Sequence, residues 1–502
     1  MNLPIYPDVT AFCQLAKQGN LVPVSVELLA DLETPVSAYL KLAGQGDRFL
    51  LESVEQGERF ARYSFVGFNP RAILQAKNGK MVLKDQGKKT QEWVTSSDHL
   101  RELEQWMARY RLAQTPSHLP LFFGGAVGFL SYEMIRYFEK TVPMAKQDDL
   151  SVPDLYFILS DTLLIFDHVT RRLKIVVNAS VEEDDKPEMV YRNVCEKLQE
   201  IVQCLKRPLL PTLFFPNLSF DDISFQTNMT RDYYLKMAEA MKGYIEQGDI
   251  FQVVPSQRFE FSYTGSAIDL YRALRSINPS PYMFCLEFSD FALVGSSPEI
   301  HVRCEQNKVT VRPIAGTRPR RENPVEDKAM ESELLADEKE RAEHVMLVDL
   351  ARNDVGRVCE FNTVKVSEFM TVERYSHVMH LSSHVEGELH SEKNMFDVMR
   401  ATFPAGTVSG SPKVRAMQII AELEPTQRAT YAGAVGYFSF SGNLDSCIAI
   451  RTLLLKQGKA YLQAGGGLVA DSTPEGEYQE SVSKAKAGMK ALALASAHQK
   501  MR

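Results

Sequence analysis

The sequence predicts an α+β protein built in two domains, and three observations carry that expectation. Runs rich in apolar and β-branched residues, at Ala72 to Ala76, Tyr156 to Phe166 and Leu173 to Val177, read as strands. Ser97 to Ala113 and Pro187 to Leu205 have no interior glycine or proline and read as helices. Between Arg207 and Asp222, proline recurs at 208, 211 and 216 and periodicity lapses. Residues 207–224 are therefore read as a linker between an N-terminal domain, 1–206, and a larger domain, 225–502.

A chain of 502 residues holds enough apolar material for two full cores. A net charge of -7, with Lys and Arg spread along the chain, argues against nucleic-acid and membrane-surface partners. No apolar run approaches the length of a membrane span, and the first residues lack a basic, then apolar, leader pattern, so a cytoplasmic location is expected. Seven cysteines, scattered without a Cys-x-x-Cys pair, are expected to be reduced thiols.

The second half carries the chemistry. A helix capped near Thr230 shows an apolar face of Tyr234, Met237, Met241 and Ile245, then turns at Gly248-Asp249 into a strand, Ile250 to Val254. Gln252 shares the face of Ile250 and Val254, as a core amide satisfied by backbone or as a functional group. Glu299 follows a Gly295-Ser296-Ser297-Pro298 turn at a strand start, where burial would raise its pKa toward acid catalysis. Asp337 to Asp354 reads as a helix with acidic first turns. On it Glu340 and Glu343 lie on the face that continues as Leu347 and Leu350. His380 falls in a half-buried strand-like run, and Thr402 to Lys413 is a turn-rich loop entering a helix, a setting that suits anions. Gly465, Gly466 and Gly467 follow a strand, leaving backbone N-H groups open to a ligand. Beyond them Glu477, Glu480 and Lys484 share one helix face, either as an ordinary exposed pairing or as part of a site. Two acidic helices supply enough oxygen for one Mg²⁺, and no Cys/His cluster of zinc type competes.

The segments Pro313-Ile314-Ala315-Gly316-Thr317-Arg318, Glu340-Arg341-Ala342-Glu343-His344, Thr402 to Lys413 and Gln463 to Leu468 together resemble the chorismate-utilising enzyme family, most closely its anthranilate synthase component I branch. The resemblance is strongest from about Phe225 to Lys490. It implies the complex fold of that family, layered antiparallel sheets with peripheral helices. It further implies that Glu343 and Glu480 hold Mg²⁺, with Glu340 and Glu477 in support. Tyr431, Arg451, Gly316, Thr317, Gly465, Gly466, Gly467 and Lys484 would bind chorismate, and Thr407 would cap a carboxylate. Glu299 would protonate the departing hydroxyl, and His380 would take the ring proton.

Family members that activate water carry lysine at the position of Gln252, and those that form aminodeoxychorismate carry lysine at that of Ala315. Neither glutamine nor alanine can do that chemistry, so ammonia as nucleophile and anthranilate as product are implied, in the first step of tryptophan biosynthesis. Aminodeoxychorismate synthesis, or a catalytically dead tryptophan-binding relative, is the alternative. No Gly-x-Cys-x-Gly elbow occurs, so a separate glutamine amidotransferase subunit, in a heterodimer or heterotetramer, would supply the ammonia. Leu51, Glu52 and Ser53, with Asn278, Pro279, Tyr282, Met283, Phe284 and nearby Cys447, resemble the feedback site for L-tryptophan. The basic complement of Glu52 is left open, because Glu58 to Ser64 lacks the lysine of some relatives.

Overall fold

The computed structural model describes residues 3–42, 46–53, 62–95, 98–145, 147–209, 214–215, 223–374 and 378–501. Their strands form two antiparallel sheets of 12 strands each and one short ladder, Gln252–Val253 against Gly410–Ser411. Both halves of the chain build both sheets. In the first sheet Arg48–Glu52 pairs with Tyr282–Glu287, and in the second Gly125–Leu130 pairs with Ala434–Ser439.

The sheets pack face to face. Phe49, Phe284 and Leu454 from the first meet Val127, Phe129 and Val435 from the second in one shared core. The outer face of the first sheet is covered by the helices Pro187–Leu205, Ala267–Ile277 and Pro474–Lys500. That of the second is covered by His99–Met107, Arg231–Glu246, Glu338–Gly356, Met395–Thr402 and Lys413–Leu423. The layered arrangement with peripheral helices is the one expected. A strand buried on both faces loses the polar/apolar alternation that marks a half-exposed one. Along Thr162–Asp167, Leu163 and Ile165 enter the shared core while Leu164 and Phe166 enter the helix-covered one. For this reason Tyr156 to Phe166 reads as one run, although it is two strands. Leu155–Ser160 belongs to the second sheet and Thr162–Asp167 to the first.

Other elements differ in extent. Pro187–Leu205 is helical throughout, and Thr230 caps Arg231–Glu246 by accepting from the Tyr233 N-H. The helix expected from Ser97 to Ala113 spans only His99–Met107, because the following backbone is recruited elsewhere. Leu21 N-H donates to Arg111 O, and Ala113 N-H to Leu21 O, at 3.0 Å each. Gly295 to Ser297 form the end of the strand Phe291–Ser297 rather than a turn. The glycine is required by packing, since a Cβ there would stand 2.0 Å from the Phe284 ring. Ser97 and most of the linker, 210–213 and 216–222, lie outside the described residues.

Candidate active site

Two helices bring four glutamates to the glycine loop. Asp337 caps Glu338–Gly356 by accepting from the N-H groups of Lys339 and Glu340, which aims the first turns of that helix at the loop. Gln252 Nε2 donates to Glu343 Oε1 at 2.9 Å. The strand carrying Gln252 is tied to the loop by reciprocal backbone bonds between Val253 and Leu468, 3.1 and 2.8 Å. From the other side the helix Pro474–Lys500, capped by Thr473, presents Glu477, Glu480 and Lys484. A Cβ on Gly466 would come within 2.4 Å of Glu477 Oε2 and 3.2 Å of Glu480 Oε1, and one on Gly467 within 3.3 Å of Glu343 Oε1. The glycines are bare because carboxylates from two helices close on them. Lys484 Nζ bonds Gly465 O at 3.1 Å and pairs with Glu480 at 2.7 Å.

Among the described residues, no three His, Cys, Asp or Glu side chains form a ready cation cage. The donor set nonetheless fits Mg²⁺, which takes one or two protein carboxylates and fills its other positions with water or an anionic ligand. Glu477 Oε2 is buried without a hydrogen-bond donor. Burial and the neighbouring Glu340 carboxylate both push the Glu343 carboxyl above its usual range, while the Gln252 amide resists. A cation relieves both conditions. Glu340 is itself held by Arg318, which also pairs with Glu333 and Asp337. Gly316, at φ 63°, allows that approach, because a Cβ there would sit 3.1 Å from Glu340 Oε2.

The remaining groups come from two sheet crossings, the strand Val378–Glu388 and the loops Gly406–Val408 and 424–433. Glu299 is 8% exposed, and burial raises its carboxyl to about 8, against the adjacent Thr407 hydroxyl, the Ile314 backbone and the Lys484 charge. The Thr407 hydroxyl is buried with no hydrogen-bond partner among the described residues. His380 Nδ1 lies 2.7 Å from Gly316 O and 3.1 Å from Thr317 Oγ1. A carbonyl only accepts, so Nδ1 carries the proton and Nε2 is the basic nitrogen. Burial lowers the His380 pKa, and the Arg451 and Lys484 cations act in the same direction. Arg451, at φ 51°, has no carboxylate partner among the described residues, and burial holds its pKa below the usual range. Tyr431, itself buried, lies close enough to oppose that shift. A half-buried guanidinium without a carboxylate partner is a receptor for an anionic group.

A cavity of about 410 Å³ opens between the sheets, and Leu51, Glu52, Ser53, Tyr282, Met283, Phe284 and Cys447 line it. Asn278 and Pro279 are not in its lining. The Asn278 amide instead donates to Ser296 Oγ at 2.9 Å. The basic partner of Glu52 is Arg275, at 3.3 Å, on the neighbouring helix, while Glu58 to Ala61 lie outside the described residues. Sequence reasoning also missed a polar trio in the wall. Tyr282 OH donates to Asp445 at 2.8 Å, and Arg303 to the other Asp445 oxygen at 2.8 Å. These residues are far apart in the chain, and only strand register joins them.

Residues 46–490 match the chorismate binding enzyme family. Anthranilate synthase component 1 of Pseudomonas aeruginosa is 45% identical over 96% of this chain and 98% of its own length. That of Acetivibrio thermocellus is 43% identical over 97% and 98%. The crystal structure of anthranilate synthase component I from Streptococcus pneumoniae superposes with a TM-score of 0.76 at 38% identity, covering 92% of this chain and 99% of that one. The menaquinone-specific isochorismate synthase of Escherichia coli, at 19% identity and a TM-score of 0.70, shares the fold. A match of this extent, meeting a site whose carboxylates, cations and bare backbone converge on one space, shows that the chain belongs to the chorismate-binding enzymes, in their anthranilate synthase component 1 family.

Proposed function

We propose that this chain, a lyase of that family, converts chorismate and ammonia to anthranilate and pyruvate in an Mg²⁺-dependent reaction, and that L-tryptophan inhibits it. The observation that carries the reading is the convergence of Glu343, Glu477, Glu480 and Lys484 on the bare backbone of Gly465 to Gly467. Arg451, with Lys484 and Tyr431, receives the carboxylates of the substrate, and Thr407 caps one of them. Glu343 and Glu480 would hold Mg²⁺, supported by Glu340 and Glu477, and the bound ion would supply positive charge against the ring carboxylate. Glu299, protonated at neutral pH, gives its proton to the 4-hydroxyl, which leaves as water while ammonia bonds to C2. His380 Nε2 then takes the C2 proton, the ring becomes aromatic and pyruvate departs.

Gln252 and Ala315 support ammonia over water or an enzyme side chain as nucleophile. A glutamine amidotransferase subunit supplies that ammonia, in a heterodimer or heterotetramer. Tryptophan occupies the cavity between the sheets, whose aromatic walls and Asp445–Arg303–Tyr282 trio offer an indole slot beside charged groups. Among the described residues no helix is long and apolar enough to cross a membrane, consistent with a cytoplasmic enzyme. The test is the isolated chain with chorismate, Mg²⁺ and ammonium salt, followed by anthranilate fluorescence. Product that disappears with EDTA and falls with tryptophan is expected, whereas isochorismate, a para-amino product or untouched chorismate would refute the reading.

A further inference from the structure

Arg428 is 2% exposed, and its guanidinium makes four hydrogen bonds. Nε and one Nη2 bond engage the two oxygens of buried Glu424, at 2.8 and 2.6 Å. Nη1 donates to Val408 O at 2.8 Å and Nη2 to Val254 O at 2.6 Å. Those two carbonyls belong to different parts of the site. Val408 follows Thr407 in the turn Gly406–Val408, and Val254 lies two residues beyond Gln252. The same guanidinium stands 5.5 Å from the ring of Tyr431, and Arg428 O accepts from Tyr431 N-H at 3.2 Å. Glu424 extends the connection. Its Oε1 accepts from Ser256 N-H and Oγ at 2.9 and 2.8 Å, and Ser256 Oγ accepts from Gln463 Nε2 at 2.8 Å, two residues before Gly465.

We propose that Arg428 is the positioning residue of the active site. It fixes the strand that carries Gln252, the turn that carries Thr407 and the ring of Tyr431 relative to one another, and through Glu424 it fixes the glycine loop as well. The proposal rests on the reading that these residues meet ammonia and chorismate. An arginine is required because one planar fork serves two carbonyls and a carboxylate at once. An ammonium has three donors around a single point and cannot span them.

The effect separates from simple destabilisation. Loss of folded enzyme lowers the apparent kcat and leaves both Michaelis constants alone. Loss of positioning moves both, because Thr407 and Tyr431 serve chorismate, and Gln252 has a buried Oε1 without a partner among the described residues that can accept from ammonia. In Arg428→Lys, assayed with ammonium salt and corrected for folded fraction by circular dichroism, the KM values for chorismate and for ammonium should each rise about tenfold or more, as expected for groups displaced by a fraction of an ångström. The double variant Arg428→Met/Glu424→Leu replaces the buried pair with apolar groups and leaves no orphaned charge, a change that folds tolerate. It should show the same two rises, and it decides the question if the lysine variant does not fold. Both KM values within about twofold of wild type in a folded variant, against the displacement argument, would overturn the proposal. So would a double variant that regains them, because the pair would then serve stability alone. A wild-type chain that makes no anthranilate would instead overturn the functional reading beneath it.

Discussion

Replacing Glu299 with glutamine should stabilise the protein above neutral pH while sharply lowering turnover. The carboxyl titrates near 4.5 when free and at about 8 in the fold, so the folded chain keeps a proton that the unfolded chain releases. For a raised carboxyl, the stabilisation is complete below the unfolded value and is lost as pH rises through the folded one. At ~1.4 kcal/mol per pH unit, and with the last unit only partly lost because the folded group titrates there, the wild type gives up about 3 kcal/mol between about pH 5.5 and pH 8. Glutamine has no such titration. At ~2.1 cal/mol/K per residue the unfolding entropy of a chain this long is roughly 1 kcal/mol/K, so the melting temperature of Glu299→Gln should gain about 3 °C on wild type over that interval. The assay is paired thermal unfolding at the two pH values, with anthranilate formation measured alongside. Turnover should fall by about 10²- to 10⁴-fold, the range for a lost general acid. A melting difference that does not change with pH would show that Glu299 is ionised in the fold, and it could not then be the acid.

Three further outcomes follow from the same geometry. Gly466→Ala places a Cβ 2.4 Å from Glu477 Oε2, and it should weaken Mg²⁺ binding by about 10- to 100-fold, the range for a disturbed supporting shell, as read by titration calorimetry on the folded variant. With the His380 pKa below its ordinary 6.5, the base stays neutral at physiological pH. The acid limb of kcat/KM should therefore fall below that value, and Glu299, needed protonated, should set an alkaline limb near 8. Cys447→Leu fills part of the cavity between the sheets, and it should raise the tryptophan concentration for half-inhibition about tenfold, one step of ~1.4 kcal/mol, with kcat unchanged.

Three helices were legible because each carries its own signal. Asp337 with its acidic first turn marks one helix, Thr230 another, and Pro187 a third. The glycine loop and both glutamate pairs could likewise be read from spacing, since three and four residues define a helix face. The sheet arrangement was not legible, because central strands such as Leu155–Ser160 and Thr162–Asp167 are buried on both faces and alternation vanishes there. The connection at Asp161, which takes the chain from one sheet to the other, is hidden inside a continuous apolar run. Arg275 beside Glu52, Asp445 beside Arg303 and Tyr282, and Arg428 beneath Tyr431 depend on contacts across long stretches of chain, which no local pattern encodes.

The cavity and the active site share two strand connections, and these give the proposed inhibition a mechanical route. The chain passes from the first sheet to the second at Pro298–Glu299, between Phe291–Ser297 and Ile300–Glu305. It returns from the second to the first at residues 449–451, between Leu444–Ile448 and Thr452–Lys456. The proposed acid and the unpaired anion receptor thus sit on adjacent crossings. The crossings are laced together by Ile448 N-H to Glu299 O at 3.0 Å, Ser297 Oγ to Ile448 O at 2.7 Å and Ser296 N-H to Arg451 O at 3.2 Å. Residues 282–284 of the first sheet and Asp445 and Cys447 of the second line the cavity, so a ligand wedged there would act on the spacing of the sheets and hence on Glu299 relative to Arg451. Ser297→Ala removes one lace at a residue that does not itself line the cavity. Tryptophan should bind it with an affinity within about twofold of wild type by calorimetry, a difference under ~0.5 kcal/mol, yet inhibit it less completely at saturation. Full inhibition in that variant would mean that the coupling runs elsewhere than through these crossings.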